Sequence, residues 1–348
     1  MNPESLDVLK VEYLITRRCN LDCGYCKITD QSSLRGKELN TAQAKGVLDQ
    51  VASYWPTAPV ILFGGEPTVR DDLPDVLKYG IDLGLKLAVI SNSDRVLNDI
   101  EFRDRLVASG LDNWSVSYDG SWAGDSDTRT KSKLGLRALR MFRKEYGFKD
   151  LVACITVSRS NINELPAIVN FLSTEGVWSI CTPIQRGGRD YDYSCGGSWN
   201  MPSAHQIAVT SAELSKMASS GNYLMHNDPS WFDLWPGYFL QQNWRCSTKS
   251  ILTVDADGSL RRCVDQPLSK PISIFDLSLQ AGNEYPALVA EGAPERCGGC
   301  FWDPAYESIM RAQNPELSLE EGRRFYRHEL SDEQLSRLIP DAGKWFRQ

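Results

Sequence analysis

Val11-Glu12-Tyr13-Leu14-Ile15-Thr16 runs straight into Arg17-Arg18-Cys19-Asn20-Leu21-Asp22-Cys23-Gly24-Tyr25-Cys26. The first six residues, rich in β-branched and aromatic side chains, read as a strand. Three cysteines follow, with three and then two residues between them. Thiolates packed this closely wrap one face of a metal cluster but leave four-coordinate ligation incomplete. A [4Fe–4S] cluster takes four ligands, so three from the protein leave one iron open to another group. The alternative on spacing alone is a zinc knuckle that borrows its fourth ligand from elsewhere.

A second motif, Phe63-Gly64-Gly65-Glu66-Pro67, closes the next β-rich run, Val60–Phe63. Two glycines let the backbone approach a ligand closely. The Glu66 carboxylate and the neighbouring carbonyls suit an ammonium group. Further out, strand-like runs recur at Leu87–Ser91, Trp114–Tyr118, Leu151–Val157 and Val177–Ile184. Helical patterns separate them at Thr41–Tyr54, Asp72–Leu83, Val96–Ser109, Lys133–Tyr146 and Asn163–Thr174. Asn40 is placed to cap the first helix. Gly84, Gly110, Gly147 and Gly176 follow helical patterns where a left-handed cap is expected. Six such β–α repeats imply a parallel sheet, doubly wound or closed into a barrel, with the chemistry at the C-terminal strand ends.

The cysteine triad, the aromatic Tyr25 before its third member and the GGEP motif on strand two together resemble the radical S-adenosylmethionine (radical SAM) superfamily. The resemblance implies a partial (β/α)6 barrel. It implies that the amino and carboxylate groups of S-adenosylmethionine bind the open iron of a cluster held by Cys19, Cys23 and Cys26. One electron then splits the sulfonium into methionine and a 5′-deoxyadenosyl radical, which takes a hydrogen atom from an unactivated C–H bond. Tyr25, Gly64, Gly65, Glu66 and Pro67 are the implied cofactor-binding residues of the first two strand ends. Asn92 after strand three, Ser117 after strand four, Arg159 after strand five and Ile184 after strand six complete that set. Ser117-Tyr118-Asp119-Gly120 is similar to the SxDG stretch of the subgroup that carries C-terminal auxiliary clusters. Asp119, with Tyr118 and Arg159, is a candidate for taking a proton or positioning substrate. Glu12 in strand one is a further candidate for the barrel interior.

A second cysteine set lies downstream at Cys246, Cys263, Cys297 and Cys300. Four thiolates in two pairs suffice for a zinc ribbon. Behind a radical SAM barrel the pattern resembles the Twitch module, half of a SPASM domain, which binds one auxiliary [4Fe–4S] cluster. Full protein ligation fits that cluster to electron transfer rather than to binding substrate. Ile251–Val254 and Ser259–Val264 flank Asp255-Ala256-Asp257-Gly258, a hairpin turn. The remaining thiols are Cys154, Cys181 and Cys195. Each reads as a small buried residue. As hydrogen-atom donors to a substrate radical, Cys181 and Cys195 are the better placed, toward the catalytic rim.

The expected organisation is an α/β chain. A barrel occupies 8–190, an aromatic-rich linker with a helix near Ser203–Ser219 occupies 191–245, the small hairpin-containing cluster module occupies 246–302, and a helical tail occupies 303–348. The linker aromatics, among them Trp231, Phe232, Trp235, Tyr238 and Phe239, either pack against the barrel or roof a substrate cavity.

The 348 residues carry 38 Lys and Arg against 45 Asp and Glu, a net −7 that argues against a non-specific nucleic-acid or polybasic membrane binder. No apolar run is long enough to span a membrane, and the N-terminus lacks a signal-peptide pattern, so a cytoplasmic protein is expected. Without export, the ten cysteines read as thiols or metal ligands rather than disulfides. Only three histidines are present, which leaves few candidates for a His-based metal centre or His acid–base chemistry. Reduction implies a low-potential donor such as a ferredoxin or flavodoxin. The ten residues before Val11 leave no room for the leader-binding domain that peptide maturases often carry, and the tail Pro340–Gln348 lacks the GGxGG-type end of the pterin-precursor enzymes. The leading expectation is therefore oxidation or epimerisation of a small polar metabolite such as a sugar or amino-cyclitol. Modification of a ribosomally made peptide is the alternative.

Overall fold

The computed structural model describes residues 8–23, 25–26, 28, 37–120, 126–184, 191–192, 197–198, 201–239, 251–264 and 267–277. Cys195, Cys246, Cys297, Cys300 and the expected tail lie outside the described residues.

The chain alternates strands and helices. They run β1 (Lys10–Thr16), α1 (Thr41–Tyr54), β2 (Val60–Gly64), α2 (Leu73–Asp82), β3 (Leu87–Ser91), α3 (Asp94–Asn98) and α4 (Ile100–Ala108). There follow β4 (Asn113–Ser117), α5 (Ser126–Tyr146), β5 (Asp150–Val157), α6 (Leu165–Thr174) and β6 (Trp178–Pro183). β1 to β6 pair in sequence order, each parallel to the next. Parallel neighbours require a crossover, and the helices supply it. All six expected strands are present within one residue at each end. The expected helix over 96–109 is two. Asp99 leaves helical geometry and accepts a bond from the Phe102 N–H, so it ends α3 and caps α4. Asn40 caps α1 with a capping box through Gln43, as its sequence predicts.

Alternation along each strand divides the sheet into two faces. Val11, Tyr13 and Ile15 of β1, Trp114 and Val116 of β4, and Ala153, Ile155 and Val157 of β5 join the apolar cluster shared with the helices. The intervening positions, such as Ser115 and Ser117 in β4 and Cys154 and Thr156 in β5, point the other way, to the inner face.

After β6 come β7 (Tyr191–Asp192), β8 (Gly197–Ser198), α7 (Ala204–Ser220), α8 (Pro229–Asp233) and α9 (Trp235–Phe239). Trp231, Phe232, Trp235 and Tyr238 are fully buried in the main cluster. The Trp231 Nε1–H donates to the Cys181 carbonyl at 2.8 Å, and the Tyr238 hydroxyl to the Ile184 carbonyl at 2.9 Å. The Ser179 N–H and carbonyl bond to Leu224 and His226, which covers the outer edge of β6. Trp231, Phe232, Trp235 and Tyr238 therefore pack against the sheet.

The hairpin expected in a separate module belongs to the same sheet. β9 (Ile251–Val254) runs parallel to β1, from Lys10 opposite Ile251 to Tyr13 opposite Val254. β10 (Leu260–Arg261) returns antiparallel, which makes eight strands in the order β10-β9-β1-β2-β3-β4-β5-β6. The sheet thus crosses the boundary expected near 246. Among the described residues no helix is long and apolar enough to cross a membrane.

Trp231→Ala is expected to cost about 3–5 kcal/mol in denaturant unfolding, the range for a large core aromatic. Trp231→Phe, which keeps an aromatic ring but gives up some volume and the bond to Cys181, should cost less, about 1–3 kcal/mol. Equal, small losses in both would contradict a structural role.

Candidate active site

The C-terminal ends of β1 and β2 meet through their backbones. The Gly65 N–H donates to the Thr16 carbonyl at 2.9 Å and the Glu66 N–H to the Arg18 carbonyl at 2.8 Å. A Cβ on Gly65 would lie 2.1 Å from the Arg18 oxygen, so only glycine fits. Gly64 has φ +139°, and a Cβ there would meet the Thr16 oxygen at the same distance. The loop that carries the three cysteines is thereby laid directly on the GGEP turn.

Cys19, Cys23 and Cys26 form no disulfide, with Cys23 buried and the other two half-buried. Burial pushes the Cys19 thiol up to about 11; the Leu21 N–H on its sulfur opposes this, and Glu66, Cys26 and Cys23 add to it. A thiolate at this position needs a cation beside it, which a metal centre supplies. Among the described residues no three Cys, His, Asp or Glu side chains converge as the shell of a single metal ion. A cluster asks for something different, one thiolate on each iron. Three neighbouring thiols at the strand ends, beside a backbone cradle, fit that demand.

Glu66 does not stand free to take an ammonium group, which corrects the sequence reading. Its carboxylate is buried and accepts from Thr68 N (3.0 Å), Thr68 Oγ1 (2.7 Å), Ser91 Oγ (2.7 Å) and Asn92 N (2.6 Å). Burial raises its pKa, against the pull of those donors. It braces the end of β2 to the end of β3. Asn92 extends the brace, because its Nδ2 donates to Asn20 Oδ1, next to Cys19, at 2.7 Å.

Tyr25 and Asp119 meet, although 94 positions apart. The Tyr25 hydroxyl donates to Asp119 Oδ2 at 2.8 Å, and Asp119 Oδ1 accepts the Thr156 N–H at 2.7 Å. Lys131 pairs with Asp119 at 2.8 Å and also bonds the Tyr25 hydroxyl. Both Asp119 oxygens are engaged, so the residue holds the cysteine loop against β5 rather than presenting an open base. Sequence reasoning missed Lys131. Burial pulls its ammonium down to about 8, with Cys23, Cys154 and Cys19 acting in the opposite sense. The available signal was its place one turn before Gly135 on the buried stripe of α5. A Cβ on Gly135 would sit 3.1 Å from the Ser117 carbonyl, which brings this stripe against β4.

The other expected residues lie in or just after β4, β5 and β6. Ser117 is half-buried on the inner face, and Arg159 is exposed in the turn after β5. Ile184 is buried, with its N–H on the Val157 carbonyl. Cys181 is not on the catalytic rim. It lies fully buried in the cluster between sheet and helices, opposite Ile155 in register, and burial pushes its thiol up to about 12. Cys154, opposite Ser117 in register and half-exposed, is the described thiol on the inner face.

Residues 13–172 match the model of the radical SAM superfamily. The Fe-coproporphyrin III synthase of Methanosarcina barkeri (strain Fusaro / DSM 804) is 34% identical over 174 residues, 49% of this chain and 42% of that protein. The PqqA peptide cyclase of Bradyrhizobium diazoefficiens is 32% identical over 157 residues, 44% of this chain and 40% of that protein. The chain thus spans less than half the length of these curated relatives. Streptococcus suis SuiB, solved bound to precursor peptide SuiA, shares the fold at a TM-score of 0.60 with 14% identity. The match covers 82% of this chain and 66% of that one.

Two outcomes are expected here. Gly65→Ala should lose most of the iron that the wild type takes up on anaerobic reconstitution; unchanged uptake would contradict the close approach. Under limited iodoacetamide treatment of the native protein, mass spectrometry should find Cys154 modified and Cys181 intact. Labelling of Cys181 at the rate of Cys154 would place its side chain wrongly.

Proposed function

We propose that this chain is a radical SAM enzyme that removes a hydrogen atom from a peptide substrate. The observation that carries the reading is the backbone contact of the cysteine loop with Gly64 and Gly65, inside a segment that matches the superfamily. Cys19, Cys23 and Cys26 would hold a [4Fe–4S] cluster with one open iron. When bound, the cluster and S-adenosylmethionine together supply one electron and a 5′-deoxyadenosyl radical. The chain's own residues bind, orient and exclude water. Backbone groups of Gly64, Gly65 and Pro67 would hold the cofactor's amino acid end, with Glu66 keeping that turn in place. Tyr25, Asn92, Ser117, Arg159 and Ile184 would contact the remainder. Asp119 and Lys131 hold Tyr25 in position.

Cys246, Cys263, Cys297 and Cys300 would hold an auxiliary cluster that takes or passes an electron supplied through a ferredoxin or flavodoxin. Cys263 packs beside Leu14 and Val264, next to β1, a position suited to that exchange. The PqqA cyclase and the peptide-bound SuiB support a peptide substrate. Oxidation or epimerisation of a small polar metabolite is the second reading, favoured by the polar groups Ser117, Thr156 and Thr182 on the inner face. Cys154 replaces Cys181 as the thiol to examine for hydrogen donation.

The test is formation of 5′-deoxyadenosine from S-adenosylmethionine by reduced, reconstituted enzyme, with deuterated candidate peptides as substrate. Deuterium appearing in 5′-deoxyadenosine supports the peptide reading. Deuterium transfer only from polyols or sugars favours the second. No cleavage by fully reconstituted enzyme sinks both.

A further inference from the structure

One buried charge group joins the two cysteine-bearing parts of the chain, and the functional reading leaves it unused. Asp255 stands where β9 turns toward β10. Its Oδ1 accepts Arg17 Nε at 2.7 Å and the Ala256 N–H at 2.7 Å. Its Oδ2 accepts Arg17 Nη2 at 2.7 Å and Arg261 Nη1 at 2.9 Å. Arg17 and Asp255 are each 1% exposed. The Arg17 pairing is bidentate, a geometry that fixes orientation as well as distance.

Each arginine stands two residues before a cysteine, Arg17 before Cys19 and Arg261 before Cys263. Each also donates to a backbone carbonyl of that cysteine's own loop. Arg17 Nη1 reaches Ile28 O at 3.5 Å, and Arg261 Nε reaches Cys263 O at 3.3 Å. The returning leg of the first loop is tied to the same turn, because the Leu39 N–H donates to the Ala256 carbonyl at 2.8 Å. Glu38, beside Leu39, accepts from the Arg17 N–H at 3.0 Å. The outgoing and returning legs of the loop that carries Cys19, Cys23 and Cys26 therefore both rest on Asp255-Ala256.

We propose that Arg17 and Asp255 are a positioning pair that fixes this loop on the β9–β10 turn and sets the reduction potential of the cluster at Cys19, Cys23 and Cys26. The inference rests on the reading that those cysteines hold a cluster. Two guanidinium groups against one carboxylate leave one positive charge in a buried region where salt screens poorly. Reduction adds negative charge to the cluster, and cluster potentials respond to nearby charge and hydrogen bonds. Removing Arg17's charge makes reduction harder, and removing Asp255's makes it easier.

The experiment is a redox titration of anaerobically reconstituted enzyme, followed by the EPR signal that Cys19/Cys23/Cys26→Ala abolishes. Arg17→Gln should shift the midpoint to lower potential and Asp255→Asn to higher. The double variant should return toward wild type. Unmoved midpoints, shifts of one sign, or a double variant no nearer wild type overturn the proposal. If the single variants lose iron, recovery in the double variant supports the pairing, and loss in all three overturns it. A wild type with no iron that depends on the three cysteines would instead remove the functional reading beneath it.

Discussion

The structure depends on the contact between two backbones at the ends of β1 and β2. Gly65 lies so close to the Arg18 carbonyl that a methyl group has no room. That approach decides where the cysteine loop begins and which turn it faces. It also explains why the buried polar residues nearby serve as braces. Glu66 ties the β2 turn to Ser91 and Asn92, and Asn92 ties it back to Asn20. Asp119 ties the far side of the loop to β5 through Tyr25. Each bond is modest alone, of the order of 1 kcal/mol net. Together they convert a loop that would otherwise sample many shapes into one with a fixed entry and exit.

The eight-stranded sheet gives the hairpin an unexpected part. Through β9 it extends the sheet beyond β1, and through Asp255 it reaches the loop that β1 feeds. The first strand is thus central rather than an edge, with β2 on one side and β9 on the other. A strand paired on both sides opens less readily than an edge strand, which suits the element from which the cysteine loop departs.

Much of this was legible in the sequence. The six strands and the long helices follow from apolar periodicity, since each buries one face against a neighbour. The cysteine triad and Gly64-Gly65 stand at adjacent strand ends because local pattern already orders the strands. What local pattern does not carry is direction and long-range pairing. Cys181 and Cys154 occupy similar β-rich runs, and only the register of the sheet decides that one faces the helices and the other the inner face. Glu66 reads as a ligand for an ammonium group until Ser91 and Asn92 are brought to it across 25 and 26 positions. Lys131 and the Arg17–Asp255 pair were invisible for the same reason: Lys131 meets Tyr25 across 106 positions, and Arg17 meets Asp255 across 238. The split at Asp99 was within reach, because an aspartate inside a helical pattern is a capping signal.

The most direct test of the account is iron and sulfide per chain after anaerobic reconstitution, compared between wild type and Cys19/Cys23/Cys26→Ala. About eight irons falling to about four is the predicted result, one four-iron cluster for each cysteine set. An iron content that the triple substitution leaves unchanged would contradict the claim that the loop on Gly64 and Gly65 holds a cluster.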